Sequence, residues 1–127
     1  MEFTLKTIIP AKPQEVYSAW LNSEEHSNMT GGEAVVSNKV DETFTAWDGY
    51  IEGRNIQLEL NKRIIQSWRT SEFDEKDEDS QLEVLFNEIS NGTELTLIHT
   101  NLSDNVEQYK KGWEEHYFEP MKVYFQK

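Results

Sequence analysis

The feature that most constrains the fold is a row of ring-bearing and apolar side chains that recurs every four residues near the C-terminus. Its members are Tyr109, Trp113, Tyr117, Met121 and Phe125. A spacing of four places such side chains on one face of a helix. The pattern predicts one long helix from Asp104 to the end of the chain, and so apolar a face has to be covered by the rest of the molecule.

The two ends of this helix carry their own signals. Asp104, with Glu107 at the third helical position, is predicted to cap its start. Pro120 lies inside the helix, where it removes a backbone donor and clashes with the carbonyl four residues earlier. We therefore expect a kink near His116. Three further residues widen the apolar face: Val106, Phe118 and Tyr124.

The N-terminal part of the chain predicts one strand followed by two short helices. Apolar and polar residues alternate from Phe3 onward, which is typical of a strand. Pro13 suits the first position of a helix, and Asn22 with Glu25 resembles a capping pair for a second helix over about residues 23–29. The glycines at 31 and 32 then turn the chain.

Short β runs fill the middle of the chain, the first of them at residues 34–36. Asp48-Gly49 and Asn91-Gly92 mark tight hairpins, and a change of apolar parity across residues 53–55 predicts a bulge. Hairpins join antiparallel neighbours. We therefore expect an α+β fold, in which a curved antiparallel sheet of six or seven strands wraps around the long C-terminal helix. The two short helices follow the first strand, and a hollow separates the layers.

Composition narrows the functional class. The 127 residues suit one domain, 1–127, and the net charge of −12 argues against nucleic acid or an anionic membrane surface as a partner. No membrane-spanning run or signal-peptide pattern is present, so the cytoplasm is the expected location. The chain has no cysteine. The acidic run at residues 72–79 lacks the ligand order of a calcium loop, so we expect a solvated loop and predict no metal or other cofactor.

The three histidines form no catalytic or zinc-binding motif. His99 lies on the inward face of its strand, where we expect a hydrogen-bonded core histidine. As a general base it would need a nearby carboxylate, and an enzyme built on such a pair remains one alternative. His26 is expected to be exposed, and His116 to lie at the surface or at the kink.

The heavy aromatic load has two interpretations, because such residues either line a pocket for an apolar molecule or fill the core. The candidate cavity set comprises residues expected to border the space between sheet and helix: Trp20, Phe44, Trp47, Ile51, Leu58, Trp68, Val84, Phe86, Leu97, His99, Trp113, Tyr117 and Met121. Arg54 and Arg69 are candidate anchors for a ligand carboxylate, although surface ion pairs are the simpler expectation.

An ordered set of short motifs adds a resemblance that covers nearly the whole chain. The motifs are Ala11-x-Pro13-x-x-Val16-Tyr17-x-Ala19-Trp20, Phe44-x-x-Trp47-x-Gly49-x-Ile51-x-Gly53, Lys62-Arg63-Ile64-Ile65-Gln66-Ser67-Trp68-Arg69, Gly92-Thr93-x-Leu95-Thr96-Leu97-x-His99, and Gly112-Trp113 followed by Tyr117-Phe118-Glu119. Together they resemble the family of activators of heat-shock-protein-90 ATPase homologues, a branch of the START-like helix-grip superfamily. The last motif is similar to the C-terminal domain of the eukaryotic activators, and we expect no counterpart of their separate N-terminal domain.

The resemblance implies a curved sheet around a long helix, with a cavity between them. Relatives in the superfamily bind lipids, steroids, hormones or polyketides, whereas others act on the chaperone. Our first hypothesis is therefore a non-enzymatic protein that binds a small hydrophobic or amphipathic molecule in the cavity. The alternative is a protein that docks on an Hsp90-type chaperone and modulates its ATPase.

Overall fold

A six-stranded antiparallel sheet curves around a C-terminal helix in the computed structural model, which describes residues 1–126. The strands are β1 (Phe3–Ile9), β2 (Thr43–Ala46), β3 (Ile51–Glu59), β4 (Arg63–Thr70), β5 (Ser80–Ile89) and β6 (Gly92–Thr100). Their order across the sheet is β1-β6-β5-β4-β3-β2. The predicted fold class is confirmed, with six strands.

Two short helices, α1 (Pro13–Trp20) and α2 (Ser23–Thr30), follow β1 as predicted. Pro13 is the first residue of α1, and the Asn22 side chain caps α2 by accepting the Glu25 backbone N–H at 2.9 Å. Gly31 ends α2 with a φ of 91°, a left-handed conformation in which glycine has no Cβ to clash. The proline, the capping asparagine and the glycine therefore mark helix ends that the sequence predicted correctly.

The C-terminal helix, residues 106–125, has three parts: α3 (Val106–Trp113), a π-helical turn (Glu114–Phe118) and α4 (Glu119–Phe125). Every member of the predicted stripe is buried, with at most 8% of its surface exposed. The predicted cap is wrong. The Asp104 carboxylate accepts the N–H of Asn105, whose φ of 63° makes the last turn before the helix. The Asp104 side chain is thus used before α3 begins.

The irregularity expected near His116 takes the form of the π-helical turn rather than a simple kink. The N–H of Glu119 donates to the carbonyl of Glu114, five residues earlier. Such a turn widens the backbone immediately before Pro120, which stands in the first turn of α4 and has no N–H to donate. Tyr117 and Phe118, both within the turn, are buried.

The predicted strand at residues 34–36 is wrong, because this segment makes only an isolated bridge between Val35 and Thr45. The segment is instead tied to α2. The hydroxyl of Ser27 accepts the N–H of residue 34 at 2.8 Å, and the hydroxyl of Ser23 accepts that of residue 36 at 2.9 Å. Side chains of α2 therefore hold this segment on the edge that faces away from β2.

The bulge in β3 lies slightly later than predicted. Pairing with β4 shifts between Asn55 and Gln57, so Ile56 is the extra residue, and it is 45% exposed. Asn55 is fully buried and its amide donates to the carbonyls of Ser37 and Lys39, both at 2.9 Å. The bulge thus accompanies an inward-facing Asn55 that holds the loop before β2.

The core lies between the concave face of the sheet and the helices. Alternate residues of β4, β5 and β6 point inward, and the most completely buried of the apolar ones are Ile64, Leu82, Val84, Leu95 and Leu97. The acidic run forms a loop between β4 and β5, as predicted, and Arg69 pairs with Asp79 at 2.8 Å. Across residues 1–126, no helix is long and apolar enough to cross a membrane.

Candidate binding site

A hollow of about 690 Å³ opens between the β2–β3 turn and the C-terminal helix. From the sheet side it is bordered by Trp47, Tyr50, Ile51 and Trp68. From α3 the bordering residues are Gln108, Tyr109, Lys111, Gly112 and Trp113, and from the π-helical turn they are Glu115, His116 and Tyr117. Its size lies within the range of small-molecule sites in proteins, roughly 300–1,000 Å³.

The predicted cavity residues divide between this hollow and the packed core. Trp47, Ile51, Trp68, Trp113 and Tyr117 border the hollow. The others lie deeper, among buried core residues: Trp20, Phe44, Val84, Phe86, Leu97, His99 and Met121. Leu58 is half-buried beyond the bulge of β3. The hollow is therefore at one end of the predicted cavity, and the remainder of that space is filled.

Aromatic rings close the inner end of the hollow. The ring centroid of Trp113 lies 4.7 Å from that of Tyr117, 5.6 Å from that of Trp68 and 6.2 Å from that of Trp20, against which it stacks. Trp68 also meets Tyr109 edge-on at 5.3 Å. Offset and edge-to-face pairs of this kind stabilise a core beyond the area that they bury. They form a fixed floor for the open part.

The β2–β3 turn that presents Trp47 has an unusual backbone. Ala46 pairs with Ile51, which leaves residues 47–50 in the turn, and φ is 51° at Trp47, 58° at the next residue and 90° at Gly49. A left-handed conformation is rare for a large residue such as Trp47. The turn is held from outside, because the backbone N–H of Glu33 donates to its Asp48 carboxylate at 3.0 Å.

The Trp47 ring rests on a glycine and faces the helix. A Cβ on Gly32 would lie only 2.5 Å from the ring atom Cε3, so the absence of a side chain there makes room for the indole. The His116 ring meets the indole edge-on at 5.5 Å. The indole N–H of Trp47 is buried and has no hydrogen-bond partner among the described residues. Trp47 thus spans from the turn toward the π-helical turn.

A polar network joins the two sides at one end of the hollow. The Tyr50 hydroxyl donates to Oε2 of Glu72 at 2.7 Å, and the side-chain amide of Gln108 donates to the same oxygen at 2.8 Å. These donors lower the pKa of Glu72. Burial and the hydrogen bond to Glu72 raise the pKa of Tyr50 to about 12. The carboxylate therefore ties the β2–β3 turn to α3.

His99 is a satisfied core histidine, as predicted. It is fully buried, its Nε2 lies 2.8 Å from the hydroxyl of Ser80, and its Nδ1 accepts the indole N–H of Trp113 at 3.1 Å. The Ser80 hydroxyl donates to the Trp68 carbonyl, so Nε2 carries the proton. Burial lowers the pKa of His99 to about 3. The ring is neutral, and its ring nitrogens bond to Ser80 and Trp113 rather than to a carboxylate.

The predicted exposure of His26 is wrong, since only 2% of its surface is accessible. Its Nδ1 donates to the Trp20 carbonyl and its Nε2 accepts the Tyr117 hydroxyl, both at 2.8 Å. Burial lowers the pKa of His26 and raises that of Tyr117. A helical spacing with Met29 and Thr30, both buried, is the sequence signal that would have placed His26 inside.

Several bordering residues were absent from the predicted set: Tyr50, Gln108, Tyr109, Lys111, Gly112, Glu115 and His116. Most of them lie on the C-terminal helix beside the aromatic stripe, so the flank of the stripe was the available signal. Within residues 1–126, no three His, Asp or Glu side chains converge as metal ligands. The arrangement is suited to holding a ligand by shape and by ring contacts.

Comparison with known proteins links this architecture to one family. The family model described as Activator of Hsp90 ATPase homolog 1-like protein matches residues 10–126. A protein of Dictyostelium discoideum named activator of 90 kDa heat shock protein ATPase homolog is 25% identical over 125 residues, covering 95% of this chain and 32% of that protein. The chain therefore spans about a third of the length of this curated relative.

Solved structures share the fold at low sequence identity. An Hsp90 activator from Plasmodium falciparum superposes with a TM-score of 0.87 at 23% identity, covering 97% of this chain and 94% of that one. A protein from Chromobacterium violaceum gives a TM-score of 0.80 at 18% identity, covering 99% and 97% of the two chains. At such identities the likeness shows the fold alone.

Proposed function

Because the chain belongs to the family of Activator of Hsp90 ATPase homolog 1-like proteins, we propose a binding function for it and no catalytic one. The proposed ligand is a small hydrophobic or amphipathic molecule held between the β2–β3 turn and the C-terminal helix. The observation that carries this proposal is the hollow of about 690 Å³ with its border of aromatic rings. Such a space favours ligands that exclude water from ring surfaces.

The proposed site uses only part of the cavity predicted from sequence. Trp47, Tyr50 and Ile51 would contact the ligand from the sheet side, and Tyr109 with Trp113 from the helix side. The buried residues behind them would keep these rings in place. Packed cores resist deformation, so a filled inner end favours a preformed site of fixed depth.

The absence of a catalytic role is supported by His99. A general base has to reach a substrate proton and hold a pKa near the working pH. The ring nitrogens of His99 are both occupied by hydrogen bonds, and burial lowers its pKa to about 3. His99 therefore supports the packing of Trp113 instead of moving protons.

A titration with small apolar and amphipathic compounds tests the proposal. We expect saturable shifts of tryptophan fluorescence and of the backbone amides of Tyr50 and Gly112. A Gly112→Leu variant should weaken binding at least tenfold, because a Cβ at Gly112 meets nothing within 4 Å and the added side chain enters the hollow. Glu107→Leu is the matched control, since Glu107 is exposed on the same helix and does not border the hollow. No saturable response to a broad panel would contradict the proposal.

A second candidate function is docking on an Hsp90-type chaperone. It is favoured by the names of the Dictyostelium discoideum relative and the Plasmodium falciparum structure, both described as activators of this chaperone. We expect a severalfold rise in the ATPase rate of a purified Hsp90-type chaperone when this protein is added at saturation. Only turnover that an ATP-competitive inhibitor of the chaperone abolishes should be counted. An unchanged rate at saturating protein would rule this function out.

A further inference from the structure

Building on the ligand-binding function above, we propose that the hollow selects an organic cation, namely a small amphiphile with an alkylated ammonium head group. Three features of the site carry this choice. They are the rings that border the hollow, the charges at its rim, and the strained backbone that presents Trp47.

The border of the hollow is aromatic rather than aliphatic. Trp47 and Tyr50 face it from the turn, while Trp68, Tyr109 and Trp113 face it from the floor and the helix. Among the described bordering residues, Ile51 is the only aliphatic hydrophobic one. A site for a plain alkyl chain needs no such excess of rings, whereas a cation within about 6 Å of a ring centroid is attracted by the negative π face.

Charges at the rim favour the same sign of ligand. Glu115 borders the hollow, and the Glu72 carboxylate holds Tyr50 and Gln108 at its edge. One rim ammonium, that of Lys111, lies 3.8 Å from Glu115 and is itself largely exposed. Glu115 and Lys111 offset one another at the rim, so the unbalanced charge is the carboxylate of Glu72 beside the hollow, in a protein of net charge −12. An anionic head group would meet repulsion at close range and at long range.

Trp47 has the marks of a residue held for contact with a ligand. Its backbone lies in the left-handed region with a φ of 51°, although it has a large side chain. Strain of this kind clusters at ligand clamps and persists only where the surroundings enforce it. Gly32 makes room for the indole, and His116 meets its edge, so the ring is fixed beside the hollow. We assign to the ring face of Trp47 the contact that determines specificity for the ammonium.

Three octyl compounds that differ only in their head group test the choice: octyltrimethylammonium, 1-octanol and octanoate. Binding should be measured by calorimetry below the micelle concentration, with amide shifts of Tyr50 and Gly112 to locate the site. We expect the ammonium to bind about tenfold tighter than the alcohol, and octanoate to bind weakest. The same affinity for all three, or tighter binding of the alcohol or the carboxylate, would overturn the inference.

Matched variants separate ring and charge effects. Trp47→Leu should remove the preference, so that the variant binds the ammonium no tighter than the alcohol, whereas Trp47→Phe should keep much of the preference. Glu115→Gln should reduce the preference severalfold. Glu114→Gln should not, because Glu114 is exposed one residue earlier and does not border the hollow. An ammonium preference that survives Trp47→Leu unchanged in the folded variant would also overturn the inference.

The outcomes distinguish failure of the cation preference from failure of the ligand-binding function on which it rests. If none of the octyl compounds binds, both the ligand-binding function and the cation preference are wrong. If all three bind in the hollow with equal affinity, the ligand-binding function stands and the cation preference alone is wrong.

Discussion

At the scale of single residues, the two buried histidines act as neutral hydrogen-bonding groups that hold aromatic side chains. His99 accepts the indole N–H of Trp113, and His26 accepts the hydroxyl of Tyr117. Both aromatic partners border the hollow. The histidines, one in β6 and one in α2, therefore hold two rings in the floor of the proposed site, and their protonation would remove the acceptors that these rings use.

The buried histidines predict that stability falls on mild acidification. Burial lowers the pKa of His99 to about 3 and also lowers that of His26, whereas an unfolded histidine titrates near pH 6.5. Below that pH the unfolded chain binds protons that the folded chain does not. The contribution of the histidines is thus complete above about pH 6.5 and is lost as the pH falls toward 3.

A His99→Gln variant tests this assignment. Its free energy of unfolding, measured by denaturant titration, should fall less steeply with acidification between about pH 6 and pH 4.5. The slope should be smaller by about 1.4 kcal/mol per pH unit, which is the value of one proton. Gln57→Ala, which changes an exposed side chain that does not titrate, is the control and should keep the slope of the parent protein. Parallel profiles for parent and His99→Gln would contradict the assignment.

Two glycines near the hollow are expected to respond in opposite ways to an added methyl group. At Gly112 a Cβ meets nothing within 4 Å, so Gly112→Ala should stabilise α3 by about 0.5–1 kcal/mol through its higher helix propensity. At Gly32 a Cβ would meet the Trp47 ring at 2.5 Å, so Gly32→Ala should destabilise by about 1–3 kcal/mol.

Thermal or denaturant unfolding of both variants checks this pair. Gly32→Ala should in addition change the fluorescence of Trp47 and lower the affinity for a ligand in the hollow, because the added methyl group displaces the indole ring. A stabilised Gly32→Ala variant would show that the Trp47 ring can move away without cost, and would remove the reason for calling it fixed.

At the scale of elements, the C-terminal helix is shaped both by its local sequence and by its packing against the sheet. The four-residue spacing of the stripe identifies its buried face, and Pro120 identifies where the regular α geometry ends. The π-helical turn lies immediately before Pro120, where the donor is missing, and the two stripe residues within it, Tyr117 and Phe118, are buried. It also aims His116 at Trp47. An unbroken α-helix would direct these side chains differently.

If the π-helical turn already accommodates the proline, Pro120→Ala should change the free energy of unfolding by less than about 1 kcal/mol. In a regular helix interior the same exchange is worth about 3 kcal/mol. Lys110→Pro, within the regular α3, is the matched comparison and should destabilise by at least that amount. Denaturant unfolding measures both. A gain near 3 kcal/mol in Pro120→Ala would mean that the ring is strained where it stands.

Two errors of sequence interpretation, those at residues 34–36 and at His26, share one physical cause, which is contact between parts of the chain that are not adjacent in a strand or helix. Residues 34–36 have strand-like composition, but hydroxyls of Ser23 and Ser27 take two of their backbone donors. His26 follows two acidic residues, yet the docking of α2 against Tyr117 buries it. The Asn22 cap of α2 and the stripe, which are read within a few residues, were predicted correctly, whereas the Asp104 cap was not, because its carboxylate bonds to Asn105 before α3 begins.

The candidate site was the hardest part to predict for the same reason. Rings on the stripe were correctly assigned to the interface of sheet and helix, but which of them border an open space depends on the path of the β2–β3 turn. That path rests on left-handed conformations at Trp47 and Asp48 and on the anchoring of the turn to Glu33. No residue pattern in the sequence specifies such a conformation for a tryptophan.

At the scale of the whole molecule, the charge balance sets both stability and the choice of ligand. The chain carries 24 acidic and 12 basic residues. The ion pairs among residues 1–126 are exposed or half-buried, and pairs that solvent reaches contribute little each. Net repulsion among carboxylates therefore outweighs local attraction, and it raises the concentration of cations around the protein, including any cationic ligand.

This balance predicts that modest salt stabilises the protein. Raising NaCl from about 0.02 M to about 0.2 M shortens the screening length to below about 10 Å, and this weakens repulsion between distant carboxylates more than attraction within contacting pairs. We expect the Tm to rise by a few degrees in calorimetry at constant pH. A variant with Glu75→Lys and Glu78→Lys, both exposed in the acidic loop, should show a smaller rise, since its net charge changes from −12 to −8. A Tm that falls with added NaCl would mean that the ion pairs outweigh the repulsion.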